Sequence, residues 1–80
     1  MEVLESRLEG YELEIQFLEM DIKTTTEDLN YNKKMLSECE SIKDMEYYME
    51  KMQTNINRLK ELNLKKSIIE NFIKTLNKIK

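Results

Sequence analysis

The sequence contains no histidine, proline, tryptophan or alanine, and only one glycine and one cysteine among its 80 residues. The chain therefore has few of the residues that usually end helices or form tight turns. The single cysteine, Cys39, excludes an internal disulfide, and without histidine no convincing set of metal ligands is present. A chain of this length usually needs a disulfide, a metal or oligomerisation for stability, so oligomerisation is the means that remains.

Long apolar runs are also absent, since no run exceeds three residues. A transmembrane helix needs about 20 predominantly apolar residues, and the N-terminal region is acidic where a secretory signal would be basic. The lone Cys39 suits a reducing compartment. We therefore expect no membrane association and a cytoplasmic protein, or a nuclear one if the source is a eukaryote.

Motifs for catalysis and cofactor binding are missing too. Acid–base and nucleophilic catalysis need titratable groups that converge in a pocket, commonly with histidine among them. The chain has no glycine-rich phosphate loop, no Cys-x-x-Cys pair and no calcium-binding loop. Cys39 falls at a small core position, where packing accounts for it. We expect a protein that is not an enzyme and has no cofactor and no metal.

Apolar residues recur along the first half of the chain at alternating steps of four and three. The series begins at Leu4 and keeps this spacing to Cys39, with Thr25 and Asn32 as polar members. Five heptads with this spacing are a strong coiled-coil signal. A polar residue in such a series either fixes the register of the pairing or marks an open part of the seam. The spacing alone does not decide between these two interpretations.

The heptad phase is lost between residues 37 and 44. Within this segment Ser41 and Asp44 have the spacing of a helix N-terminal capping box. The alternative to a turn here is one straight helix of about 120 Å. The pattern predicts a single helical domain over residues 1–80, with helix one at about 2–39, a turn at about 39–43 and helix two at about 43–78.

Charge is distributed unequally along the chain. Residues 1–50 carry 14 acidic and 5 basic side chains, net −9, whereas residues 51–80 carry 2 acidic and 8 basic side chains, net +6, which together give the overall −3. A parallel pair of straight helices would place like charges side by side, whereas a hairpin places the acidic part beside the basic part. The charges favour an all-α antiparallel helical hairpin, a two-stranded coiled coil. An antiparallel dimer of straight helices satisfies the same charges and remains an alternative.

The hairpin is predicted to have one internal seam and one association face. Helix one carries a second apolar set opposite the seam, and apolar area left in water is unfavourable. We therefore expect two hairpins to pair into a homodimeric four-helix bundle, or a helix of another protein to dock on the same surface. The alternative is that these residues are scattered surface positions without a role. The predicted association face is Leu13, Phe17 and Met20; the predicted seam is Leu4, Leu8, Tyr11, Ile15, Leu18, Ile22, Leu29, Ile56, Leu59, Leu62, Ile69, Ile73 and Leu76.

The C-terminal third is basic enough to attract phosphate groups. If its lysines neutralise helix one, however, little positive potential remains, and the overall pI of about 5.0 points the same way. Nucleic acid is therefore not an expected partner. The residues that would bind an anion are Lys60, Lys65, Lys66, Lys74 and Lys78.

These patterns predict a protein interaction module, acting as a scaffold, an adaptor or a small inhibitor. Its expected partners are a second copy of itself and another protein. Two alternatives remain: a protein that sequesters an anionic ligand or nucleic acid through the C-terminal lysines, and a rod-like fragment of a longer coiled-coil protein. No motif names the partner.

Overall fold

The chain forms two long α-helices that fold back on each other. The computed structural model describes residues 2–79, and Met1 and Lys80, the ends of the predicted domain, lie outside the described residues. Helix α1 comprises Glu2–Glu38 and helix α2 comprises Ile42–Ile79, and no strand occurs in this range. The two helices contact each other along their length. The predicted all-α helical hairpin is confirmed.

The composition explains why both helices run without a break. Proline is absent, and the many Leu, Glu, Lys and Met residues are good helix formers. Helix α1 continues through the three consecutive threonines at 24–26. The Thr26 hydroxyl donates a hydrogen bond to the Ile22 carbonyl at 2.7 Å, so its polar group is satisfied within the helix.

Three residues, Cys39, Glu40 and Ser41, connect the helices. The Cys39 N–H donates to the Met35 carbonyl at 3.0 Å, which continues the hydrogen bonding of the last α1 turn. The Asp44 N–H donates to Ser41 Oγ at 3.1 Å, so Ser41 is the N-cap of α2. No described residue has a positive φ angle, so this turn needs no glycine.

A single narrow seam between the helices forms the core. The most buried side chain is Leu62, which is 1% exposed and packs with Leu18 and Ile69. No polar or charged side chain of residues 2–79 is buried. The buried side chains are Leu8, Leu18, Leu29, Leu62 and Ile69.

The hairpin is long and thin, with extents of 60 × 14 × 13 Å. Its accessible surface of 6433 Å² exceeds the roughly 5,100 Å² expected for a compact monomer of this mass. This large surface means that much of the apolar content of the chain faces solvent in the isolated hairpin. Neither helix, over the residues described, is long and apolar enough to cross a membrane.

Candidate interaction surface

The thirteen predicted seam residues all lie on the sides of the helices that face each other. On α1, Leu8, Leu18 and Leu29 are buried and the other four are half-buried. On α2, Leu62 and Ile69 are buried and the other four are half-buried. The structure adds two polar residues that the sequence analysis missed, Asn55 and Lys66, which are also half-buried. Spacing could have identified them as seam positions, because on α2 the positions 52, 55, 59, 62, 66, 69, 73 and 76 follow alternating steps of three and four.

A hydrogen bond between two asparagines crosses the seam. Asn32 Nδ2 donates to Asn55 Oδ1 at 2.8 Å, and both side chains are half-buried. Leu29 and Leu36 lie one step before and after Asn32 in the seam of α1. The amide pair therefore interrupts an apolar seam, and one hydrogen bond joins the two side chains. Thr25, the other polar member of the α1 series, is also half-buried.

The predicted association face lies in solvent. Leu13 is 51% exposed, Phe17 59% and Met20 65%. Residues at these positions are about half a turn away from the seam, so the partner helix cannot cover them. Helix α2 adds further exposed apolar side chains in the half of the hairpin that is distant from the turn: Leu64, Ile68, Phe72 and Ile79.

The hairpin has two long sides that differ in chemistry. On one side, which we call the apolar flank, two concavities adjoin each other at Tyr11. The second is lined by Tyr11, Phe72, Thr75 and Leu76, and the first is lined by Val3, Gly10 and Tyr11 together with the polar residues Glu2, Ser6, Arg7 and Glu14. The rings of Tyr11 and Phe72 lie 5.8 Å apart between centroids, at 41°. This contact joins apolar residues of both helices into one surface.

The opposite side, which we call the acidic flank, is lined by carboxylates. Its concavities include Glu5, Glu9 and Glu12 next to Asn77, and Glu12, Glu19 and Glu70 next to Lys74. Lys66 Nζ contacts Glu19 Oε1 at 3.4 Å on this side. Burying this flank in a contact would remove several carboxylates from water, and burying a charge without a close partner is unfavourable.

The predicted anion-binding lysines do not converge on one cleft in the hairpin. Lys66 is half-buried and contacts Glu19, whereas Lys74 shares its concavity with three glutamates. Lys60, Lys65 and Lys78 are exposed at different positions around α2. Each lysine that lines a concavity or forms an ion pair here therefore has carboxylates near it.

The turn end carries a smaller aromatic cluster. The rings of Tyr47 and Tyr48 meet edge to face at 5.1 Å, and Lys51 Nζ lies 5.4 Å from the Tyr47 ring centroid. Desolvation, followed by the nearby Tyr31 and Asp44, raises the pKa of the Tyr48 phenol. The half-buried Cys39 thiol donates to the Leu36 carbonyl at 3.1 Å, which fits a packing position.

No group of three potential metal ligands occurs within residues 2–79. Comparison with protein-family models, with characterised proteins and with solved structures finds no match to this chain. The chemistry of the surface is therefore the basis for any functional proposal. Its main features are an apolar strip on the outside of a thin hairpin and a clear difference between the two flanks.

Proposed function

We propose that this chain is a non-enzymatic protein interaction module, a scaffold, adaptor or small inhibitor, that works as a self-associating coiled-coil hairpin. Its seam has the spacing of a coiled coil, and self-association would give a four-helix bundle. The lone, half-buried Cys39 suits a reducing compartment such as the cytoplasm.

One observation carries the proposal: the hairpin buries few side chains and leaves large apolar ones exposed at helical spacing. Among residues 2–79 five side chains are buried, whereas Phe17 and Met20 on the association face are more than half exposed. Fully burying an aliphatic or aromatic side chain contributes about 1.5–3 kcal/mol. Covering such residues in two copies therefore offers several kcal/mol, which is comparable with the whole stability of a small domain.

The experiment is the solution mass by sedimentation equilibrium, with the maximum dimension from small-angle scattering, for the natural chain and for Phe17→Asp combined with Met20→Lys. We expect the natural chain to be a dimer of about twice 9.7 kDa with a length near 60 Å. The double variant should be mainly monomeric at the same concentration, because both substitutions place charge in the proposed contact.

The matched control is Ile42→Asp combined with Met49→Lys. Both residues are exposed, at 76% and 57%, but lie at the turn end of α2. The two pairs of substitutions introduce the same charges, so the control should remain a dimer. An unchanged dimer for the Phe17 and Met20 variant would show that this face is not the interface, and a natural chain that is monomeric throughout would refute self-association.

A further inference from the structure

We propose that the second copy docks on the apolar flank, with the two hairpins parallel and both turns at the same end, so that α1 of each copy lies beside α2 of the other. This inference rests on the proposed self-association and specifies its geometry. Of the predicted association face it places Phe17 in the contact, whereas Leu13 and Met20 lie opposite the seam and outside it. It follows from three independent properties of the flank: its apolar residues, its charges and its area.

Most of the apolar residues of this flank lie in the half of the hairpin opposite the turn, while Tyr31 and Tyr47 lie in the turn half. Val3 and Gly10 line its concavity, and Phe17 follows Gly10 by seven residues, which places it on the same side of α1. On α2, Phe72 contacts Tyr11, and Ile79 follows Phe72 by seven residues. If two copies overlap along their full length, only a parallel arrangement brings these apolar halves together. An antiparallel arrangement would place each against the turn half of its partner.

The charges of the apolar flank select the same arrangement. Arg7 and Glu14 line its concavity, and Asp21 and Asp28 follow Glu14 at seven-residue steps, so α1 carries an acidic line from Glu14 toward the turn. Arg58 NH2 contacts Asp21 Oδ2 at 3.7 Å, which places Arg58 on this flank. Lys51 and Lys65 lie seven residues before and after Arg58, so α2 carries a basic line.

A two-fold axis parallel to the hairpins places the acidic line of each copy beside the basic line of its partner. A two-fold axis perpendicular to them places acidic line against acidic line and basic line against basic line. Opposite charges across an interface favour the correct partner orientation, and like charges disfavour the wrong one. Charge complementarity therefore agrees with the position of the apolar half.

The available area is that of a stable dimer. A long side of 60 × 14 Å projects to roughly 800 Å² per copy, which is about the per-partner area of a standard specific interface. The acidic flank offers a similar area, but its concavities are lined mainly by glutamates, which are costly to remove from water. The apolar flank is thus the side on which the area is usable.

Gly10 is part of this fit. It follows from the Tyr11–Phe72 contact that Gly10 and Phe72 lie at the same level of the hairpin. In the parallel dimer, Gly10 of each copy therefore comes beside Phe72 of the other, a small residue opposite a large one. Within the hairpin itself, a Cβ added at Gly10 would meet no atom within 4 Å.

The orientation is tested by distances between spin labels on Glu40→Cys and, separately, on Glu5→Cys, each with Cys39→Ser. Both residues are exposed. Because neighbouring helices in a bundle lie about 8–10 Å apart, we expect both label pairs within about 40 Å. A Glu40 pair near 60 Å, the length of the hairpin, would overturn the proposal in favour of antiparallel hairpins. Glu5 labels about 100 Å apart would overturn it in favour of straight helices.

The flank is tested by Gly10→Gln. A Cβ at this exposed position meets no atom of the hairpin within 4 Å, and glutamine favours the helix more than glycine does, so helicity should be kept or raised. Gly10→Gln should raise the dissociation constant of the dimer at least about tenfold, because its extra atoms would be forced into a packed contact. The control is Ser67→Gln, an exposed site next to Lys66 on the acidic flank, which should leave the dissociation constant unchanged.

The outcomes separate the two proposals. Equal dissociation constants for Gly10→Gln and the natural chain would overturn the assignment of the flank, even if the chain dimerises. A natural chain that sediments as a monomer at every concentration would instead refute self-association itself. A dimer with both short label distances and a weakened Gly10→Gln variant supports the full geometry.

Discussion

The hydrogen bond between Asn32 and Asn55 provides a sharp test of how the seam is held together. The variants are Asn32→Leu, Asn55→Leu and the double variant that combines them. A single substitution removes a hydrogen bond worth about 0.5–1.5 kcal/mol and leaves a half-buried amide without its partner, at about 1–3 kcal/mol. The leucine that replaces the asparagine would be half-buried, which stabilises the hairpin by roughly 1 kcal/mol. Each single variant should therefore be less stable than the natural chain by about 1–2 kcal/mol.

The double variant should behave differently, because it leaves no amide unpaired. Two half-buried leucines contribute roughly 2 kcal/mol, against about 1 kcal/mol for the lost hydrogen bond. We expect the double variant to be at least as stable as the natural chain. The change in the free energy of unfolding of the double variant should therefore differ by about 2 kcal/mol or more from the sum of the changes in the two single variants.

The assay is urea denaturation followed by circular dichroism at 222 nm, at one protein concentration for all four chains. Gln53→Ala is the control, since Gln53 Nε2 donates to Asn57 Oδ1 at 2.9 Å in an exposed pair. Its effect should stay within about 0.5 kcal/mol. Single and double effects that add within about 0.5 kcal/mol would refute the role given to the amide pair.

Two further predictions concern the core and the turn. Leu62→Ala should reduce the free energy of unfolding by about 2–4 kcal/mol, because Leu62 is 1% exposed, whereas Leu64→Ala, at a position 63% exposed, should change it by less than about 1 kcal/mol. Similar losses in urea titrations of the two variants would contradict the placement of the seam. Ser41→Ala should cost about 1 kcal/mol, since it removes the side chain that accepts the Asp44 N–H. Thermal unfolding would measure this, with Ser37→Ala as the control because the Ser37 hydroxyl bonds only within α1, to the Lys34 carbonyl. Equal melting temperatures for Ser41→Ala and the natural chain would exclude the cap.

The hairpin was predictable from the sequence because two signals agreed. Spacing marked the seam of α1 from Leu4 to Cys39, and the unequal charges required the acidic and basic parts to lie side by side. In contrast, Asn55 and Lys66 were missed because a search for apolar residues overlooks polar members of a seam. Asn55 accepts a hydrogen bond there from Asn32, and the ammonium group of Lys66 reaches Glu19.

The difference between the two flanks could not be predicted. Sequence spacing shows that Leu13, Phe17 and Met20 lie opposite the seam, but not which residues of α2 flank the same side. That depends on how the turn at Cys39 to Ser41 directs α2 across α1. Only the contact between Tyr11 and Phe72 shows which apolar residues of the two helices share a side.

The absence of positive φ angles at the turn bears on domain swapping. None of Cys39, Glu40 and Ser41 is glycine or proline or has a left-handed backbone, so all three can adopt helical angles without steric strain. A straightened chain of about 120 Å would pair with a second chain through the same seam, including the Asn32–Asn55 bond. The closed form is favoured at low concentration because its two halves are tethered at a high effective concentration. Chain concentration thus becomes a variable that selects between a short hairpin and a long exchanged rod.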